Sequence, residues 1–425
     1  MKVKKICKIL GVTAAGLALF ITLGNVNSMS VYAAEDNSVS ISEDTESVAA
    51  ESVNKNEDYS IKINSSTEKQ GFKFIIKDIT ASKHELRVTA LIQSPDSVKD
   101  DDIRKNIIQM TVKNSDYNLC SDFSRKIDDN TIEYTFVIRN SNGFNNTVDL
   151  RFDAILPQYD VNAWINTSVD ISKYFDKVLE KEVKFTLGNK EFYKIESDIL
   201  GTRLYFKEDN KFDYSEDSYN EDTWDSQSKL LIKYGDKICE FNERDFDANA
   251  DENYTTGYYA TGDVNIGSLN NSSEASIIPI KCNIKNKEIE KIFENMDSYK
   301  AEYSESDNVR YEKEAENTKG KITKVTREED KIKVYCSADN DEDALFSAVN
   351  ILGYYDYNVI DDDILLSEQD INNIKTNIYK DSDTQYGYVV EFTNVIKDRA
   401  FLVEYNGITI LNSDKFNFEE EVKIK

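Results

Sequence analysis

The stretch IIKDITASKHELRVTA at residues 75–90 returns in outline at 321–336 as KITKVTREEDKIKVYC. In each, an aliphatic residue is followed by another three positions on, and after a polar gap three alternating apolar positions begin. The two sets are Ile76, Ile79, Leu86, Val88, Ala90 and Ile322, Val325, Ile332, Val334, Cys336. Apolar alternation on both sides of a polar turn reads as strand, turn, strand with one face buried. A third copy lies at 187–206 in LGNKEFYKIESDILGTRLYF, where Phe192 and Ile195 are three apart and Leu204 and Phe206 follow a longer turn. A frame repeated on this scale predicts a string of similar modules, each with its own core.

Working outward, the segments 71–79, 85–92, 131–138 and 147–155 alternate in the same way, and 387–395 and 400–408 echo them late in the chain. Short alternating runs separated by Asn, Asp, Gly and Ser predict antiparallel strands. The fold class is therefore all-β, built of tandem Ig-like β-sandwich modules with a short helical connector. The modules are predicted at 59–168, 169–285 and 318–425, with the connector at 286–317, where Ile289, Ile292, Phe293 and Met296 share one helical face. A second helix is predicted in SEQDINNIKTNI at 367–378, with Ser367 and Asp370 ahead of Ile371, Ile374 and Ile378.

The first 33 residues read as a secretory signal: Lys2, Lys4, Lys5 and Lys8, an apolar run from Ile9 to Leu23, then Val31 and Ala33 at a small-residue cleavage site. Cleavage after Ala33 predicts a secreted or cell-surface protein. An uncleaved segment would instead be a single-pass N-terminal membrane anchor. Residues 34–58 lack aromatics and are rich in Ser, Glu, Asp and Asn, the composition of a disordered acidic linker. The chain carries 52 basic and 79 acidic residues, a net charge of −27, and loss of the signal makes it more acidic still. That charge argues against nucleic acid and lipid surfaces as partners.

Of the five cysteines, Cys120, Cys239, Cys282 and Cys336 follow the signal. Their spacing matches no zinc motif, Cys336 reads as a core position, and a Cys239–Cys282 disulfide is left open. His84 is the only histidine and sits in a polar turn, which removes triad and zinc schemes. Ser226 and Lys229 make S-x-x-K and Ser306–Asn308 make S-D-N, but no K-T-G follows, and the serine precedes a strand pattern instead of opening a helix. No enzyme is predicted and no catalytic residue is assigned.

Two binding chemistries remain. Asp245, Asp247, Asn249 and Asp251 alternate as calcium ligands do, although Ala250 and Thr256 stand where an EF-hand needs Gly and Glu, so the calcium site would be a looser one in a β-loop. Residues 213–225 and 339–343 are further acidic stretches, read as solvated loops. Tyr219, Trp224, Tyr258 and Tyr259, which lie among acids, are candidates for stacking on a ligand such as a sugar ring.

Val169–Lys173 followed by LGNKEFYKIESDILGTRLYF resembles the junction of two extracytoplasmic β-domains of uncharacterised function found in anti-sigma-factor-like proteins of Gram-positive bacteria. Asn189, Lys190 and the run Leu200, Gly201, Thr202, Arg203, Leu204 carry the likeness, with Asp198–Ile199 in place of a Ser-Pro. Gln70–Ile92 is similar to the start of the first domain. The resemblance covers roughly residues 60–285 and implies exterior β-domains with no catalytic residues to carry over. The zinc-binding, sigma-factor-sequestering part of that family has no counterpart in the short basic stub, so sigma binding is not implied. The resulting expectation is a secreted or envelope-associated, non-catalytic binding or sensing protein whose partner is a protein or glycan outside the cell. The alternatives are a membrane-anchored envelope-stress signalling component and a calcium-dependent adhesion module.

Overall fold

A computed structural model of the protein describes residues 60–97, 105–114, 118–140, 142–175, 177–209, 227–246, 254–296, 300–315, 318–356 and 374–425. The signal, the acidic linker, Tyr219, Trp224, Asp247, Asn249 and Asp251 lie outside these residues. Among the described residues no helix is long and apolar enough to cross a membrane.

The first eight strands are β1 (Ser60–Lys69), β2 (Phe72–Ala81), β3 (Glu85–Gln93), β4 (Ile107–Val112), β5 (Asn118–Asp128), β6 (Thr131–Arg139), β7 (Thr147–Leu156) and β8 (Val161–Asp170). They form two sheets, β1-β2-β3-β6-β5 and β4-β7-β8. Apart from β1 on the outside, that order is the A-B-E-D sheet facing the C-F-G sheet of an immunoglobulin-type sandwich. Both sheets feed one core, with Phe74, Ile76, Ile79, Val88 and Phe136 from the first and Leu150, Phe152 and Ile165 from the second.

The three-residue spacing that opened the sequence now has a cause. Strict alternation would put Ile76 and Ile79 on opposite faces, yet both are fully buried. The β2–β3 register shifts between Ile76 and Asp78, so Lys77 is the extra residue of a β-bulge that returns the next apolar side chain to the core. The same shift recurs between Phe192 and Lys194 in the second copy and between Ile322 and Lys324 in the third. The repeat is thus a bulged first strand and its partner, present once in each sandwich.

The second set of strands is β9 (Leu179–Leu187), β10 (Lys190–Ser197), β11 (Thr202–Asp209), β12 (Lys229–Tyr234), β13 (Lys237–Glu240), β14 (Glu243–Phe246), β15 (Tyr254–Thr261) and β16 (Ala275–Cys282), with helix α1 (Ile266–Asn271) before the last. One sheet runs β14-β15-β11-β10-β9, again D-E-B-A with a leading strand outside; the facing strands run β13-β12-β16. Helix α2 (Ile289–Met296) follows where the connector was predicted, and Ile292 on its apolar face is buried.

After α2 come β17 (Ala301–Ser306), β18 (Val309–Ala315), β19 (Gly320–Glu328), β20 (Lys331–Ala338), helix α3 (Asp341–Ala348), β21 (Ile351–Tyr355), β22 (Lys375–Lys380), β23 (Gly387–Thr393), β24 (Phe401–Tyr405), helix α4 (Gly407–Leu411), β25 (Phe416–Phe418) and β26 (Val422–Lys423). Strands β19-β20-β23-β22 give a third A-B-E-D sheet and β21-β24 its C and F strands. The place of strand G beside β24 is taken by β18, which runs parallel to β24 and pairs through Val309 with Phe401. The strands that would have filled that place, β25 and β26, go back to the second sandwich and pair with β16, Ile280 opposite Phe418 and Ile277 opposite Val422. The third sandwich is therefore inserted between the F and G strands of the second, and residues 416–425, read from sequence as part of 318–425, close the sandwich before it.

This insertion explains a pattern that strict alternation does not. Leu230, Leu231 and Ile232 are all buried in β12. Leu230 and Ile232 face the core of the second sandwich, whereas Leu231 faces the core it shares with the third. Strands β13 and β22 pair directly, which joins the two sandwiches through one continuous sheet. It also settles the cysteines. Cys239 belongs to one of these cores and Cys282 to the other, on strands separated by β12, and both are free buried thiols. Two strand spacings amount to about 10 Å, too far for a disulfide. Cys336 is buried at 1% exposure, as its place in the frame requires.

Three local expectations are corrected. Of the helix expected at 367–378, residues 367–373 lie outside the described residues and 375–378 are strand, with Ile378 in β22 paired to Ile238 and Val390. The acidic stretch 339–343 opens α3 instead of forming a loop: Asn340 caps it by accepting from the Asp343 amide at 2.9 Å, and acids are favourable at that end of a helix. The connector region holds a hairpin, β17–β18, beyond α2. Its turn is Asp307–Asn308, both at positive φ, so the S-D-N triplet is hairpin-turn chemistry.

Candidate functional site

Among the described residues, a dense set of ionisable groups lies where the second sandwich meets the first. The β10–β11 turn, expected from sequence to be longer than its counterparts, is not: Ile195 faces Leu204 just as Ile79 faces Val88 and Val325 faces Val334, so Leu204 holds the place of Val88 and Thr202 that of Leu86. What sets this turn apart is its apolar pair: Ile199 and Leu200 enter the core of the first sandwich. The turn is shaped by Asp198, whose Oδ1 accepts from the Leu200 and Gly201 amides at 2.7 and 3.1 Å. A Cβ on Gly201 would stand 2.5 Å from the Thr261 carbonyl oxygen, so no other residue fits there without moving β15.

Around this plug the charges interlock. Arg203 Nη1 donates to Asp198 Oδ2 at 2.6 Å and its Nη2 to Glu85 Oε2 at 3.3 Å. Glu85 also accepts from Arg87 at 2.8 Å and Arg139 at 2.9 Å. Glu196 stands 3.5 Å from His84 Nε2, 3.1 Å from Lys194 Nζ and 3.9 Å from Arg203. Glu85, Glu196, Asp198 and Arg203 are each at most 3% exposed. The space left between the two sandwiches at this point is about 10 Å³, room for one water and no substrate.

The electrostatics follow from burial and pairing. Burial raises the Glu85 pKa, but Arg87, Arg139 and Arg203 outweigh it and hold the carboxyl down at about 2. Burial likewise works against Glu196; His84 when protonated, and Lys194 and Arg203 at all times, act in the other direction and hold its pKa below the usual value. Arg203 is held charged by Asp198 and Glu85 against its own desolvation. Desolvation lowers the His84 pKa despite Glu196 beside it. Its Nδ1 lies 3.0 Å from the Asn140 carbonyl, so the neutral ring carries its proton on Nδ1 and turns a bare Nε2 toward Glu196.

Acid weakens this junction in two stages. A His whose folded pKa lies below 6.5 loses its stabilising contribution as pH falls beneath 6.5, because the unfolded chain takes the proton first. Glu85 contributes fully above 4.5 and progressively less as pH falls toward 2, about 3 kcal/mol in all. With a single histidine in the chain, H84Q removes the upper stage and leaves the lower one; Tm measured against pH for the two proteins checks this.

Sequence reasoning placed His84 in a turn and assigned it nothing. The signal available in the sequence was an apolar pair, Ile199–Leu200, in a turn with an Asp and an Arg astride its glycine. The predicted ligand residues do not converge on the junction. Tyr258 and Tyr259 are successive residues of β15 and face opposite ways, Tyr258 against Tyr205 at 5.6 Å and Tyr259 against Phe206 at 5.4 Å, so they form no shared stacking platform. Asp245 lies on β14 opposite Tyr258, and the other three calcium candidates fall outside the described residues. Among the described residues no group of His, Cys, Asp and Glu is arranged to hold a metal.

No family model and no curated protein matches the chain. A solved structure described as the conserved domain protein from Bacillus anthracis is similar over 53% of this chain and 79% of that one, at 14% identity and a TM-score of 0.37. The all-β sandwich fold stated above rests on its own strand pairing and takes nothing from that likeness.

Proposed function

We propose that the protein is a non-catalytic binding or sensing protein of the cell exterior, a β-scaffold that presents its outer sheet faces to a partner. The observation that carries this reading is the use of charge at the junction. Each buried carboxylate there has a cationic partner, the histidine is neutral and desolvated, and the gap admits one water. Groups arranged for acid–base or nucleophilic work leave a partner free for substrate; here the charges are spent on holding two sandwiches together. The resemblance of residues 60–285 to extracytoplasmic β-domains and the signal-like N-terminus support an exterior location.

Cell fractionation with N-terminal sequencing tests the location. A mature chain beginning at Ala34 in the medium or wall is the expected result. Intact Met1 in the membrane fraction overturns the free exterior binder and makes the anchored signalling component the leading reading.

A further inference from the structure

The outer face of the β4-β7-β8 sheet carries side chains that neither the core nor the junction uses. Strand pairing sets Gln109, Asp153 and Trp164 in one row, with Arg151 and Asn166 in the next. Trp164 is 47% exposed, a large apolar area left in water. Arg151 lies 5.9 Å from the indole centroid and is clamped by Asp153 through Nε at 2.8 and 2.9 Å and Nη2 at 2.8 Å. Ile107 and Ile155, paired across β4 and β7 and 50% and 37% exposed, border the group on one side.

We propose that this face binds a neutral glycan, with Trp164 stacked on a pyranose ring and the Arg151–Asp153 pair, Gln109 and Asn166 hydrogen-bonding its hydroxyls. The proposal rests on the exterior-binder reading above and names its ligand class. A sugar ring offers an apolar C–H face rimmed by hydroxyls, which matches an exposed indole rimmed by fixed donors and acceptors. Charge selects among glycans. The cations on this part of the face, Lys113 and Arg151, are matched by the carboxylates Asp149 and Asp153, so the patch is neutral on a chain of net charge −27 that repels anionic polymers. A protein partner would favour a broader apolar centre free of a fixed ion pair.

The open sheet of the third sandwich carries the same combination. Tyr303 is 44% exposed, Arg310 lies 5.1 Å from its ring, and Asp356 holds that arginine at 3.0 Å. In the second sandwich the corresponding face is buried in the core shared with the third, with Leu231 and Ile280 on it.

The test is affinity electrophoresis of the mature chain through gels containing dextran, laminarin, glucomannan or hydroxyethylcellulose, with pull-down on cellulose and chitin. Retardation or retention by at least one of these is expected, weakened about tenfold or more by W164A and less by W164F. Tryptophan emission of a W224F protein, in which Trp164 is the sole indole, should shift as the retarding glycan is added. Absence of retention on the whole panel overturns the proposal, as does W164A binding equal to the parent's. Binding of the face to a protein in place of these glycans also overturns it. A chain found outside the cell that fails on the panel sinks the glycan and leaves the exterior-binder reading standing, whereas an anchored chain that passes does the reverse.

Discussion

Deleting Phe416–Lys425 unfolds the second sandwich, although the deletion removes only the last ten residues of the chain. Phe416 is 7% exposed and Ile424 5% exposed. Phe416 packs with Phe346 at 5.5 Å in the core shared with the third sandwich, while Ile424 and Val422 enter the core of the second. Lys425 Nζ donates to the carbonyls of Leu269, Asn270 and Ser272, closing the end of α1. Losing a buried Phe costs about 3–5 kcal/mol and a buried Ile about 2–5 kcal/mol. The bared edge of β16 would add unpaired backbone groups. The expected loss is comparable to the whole stability of a domain, about 5–15 kcal/mol. Hydrogen exchange of the truncated chain should show protection lost across 179–282 and retained across 60–170. Were the tail an ordinary terminal strand of the third sandwich, loss would be confined to 318–412.

The second large effect is at the junction. R203M removes the cation shared by Asp198, Glu85 and Glu196. It leaves carboxylates that are almost wholly buried without enough positive charge, which costs about 3–5 kcal/mol. Arg87 also bonds Glu85, but its side chain is 41% exposed, so R87A should cost about 1 kcal/mol or less. Urea unfolding of the two variants checks the ranking. Equal costs would mean that the buried pairing is not what holds the plug in place.

The strands were legible because their alternation survives a bulge. Ile76 and Ile79 looked irregular and were the most informative pair in the chain, since only an inserted residue keeps both inside. What stayed hidden depends on contacts between distant segments. Nothing local in Phe416–Lys423 states that it pairs with β16 and not with β24. The run Leu230–Leu231–Ile232 puts apolar residues on both faces, which is the mark of a strand covered twice. Residues 371–378 carry helical spacing, yet Ile378 is held as strand by β13 and β23, a case of sheet pairing overriding local pattern. The junction was half visible: the turn with Gly201 could be seen, though spacing alone matches Leu204 to Leu86 and not to Val88 and so overstates its length. Its partners Glu85 and His84 are set against it only by folding.

The insertion of the third sandwich into the second is tested most directly by a cross-link. Lys281 and Asn417 are direct partners across β16 and β25, and both side chains reach solvent. Facing residues in antiparallel strands stand about 4.5–5.5 Å apart at Cα, within disulfide reach. In a K281C/N417C variant, mild oxidation of the folded protein should link the two peptides quantitatively, as read by mass spectrometry of the unreduced digest. Two free thiols at these positions in the folded, oxidised protein would contradict the strand exchange and return residues 416–425 to the third sandwich.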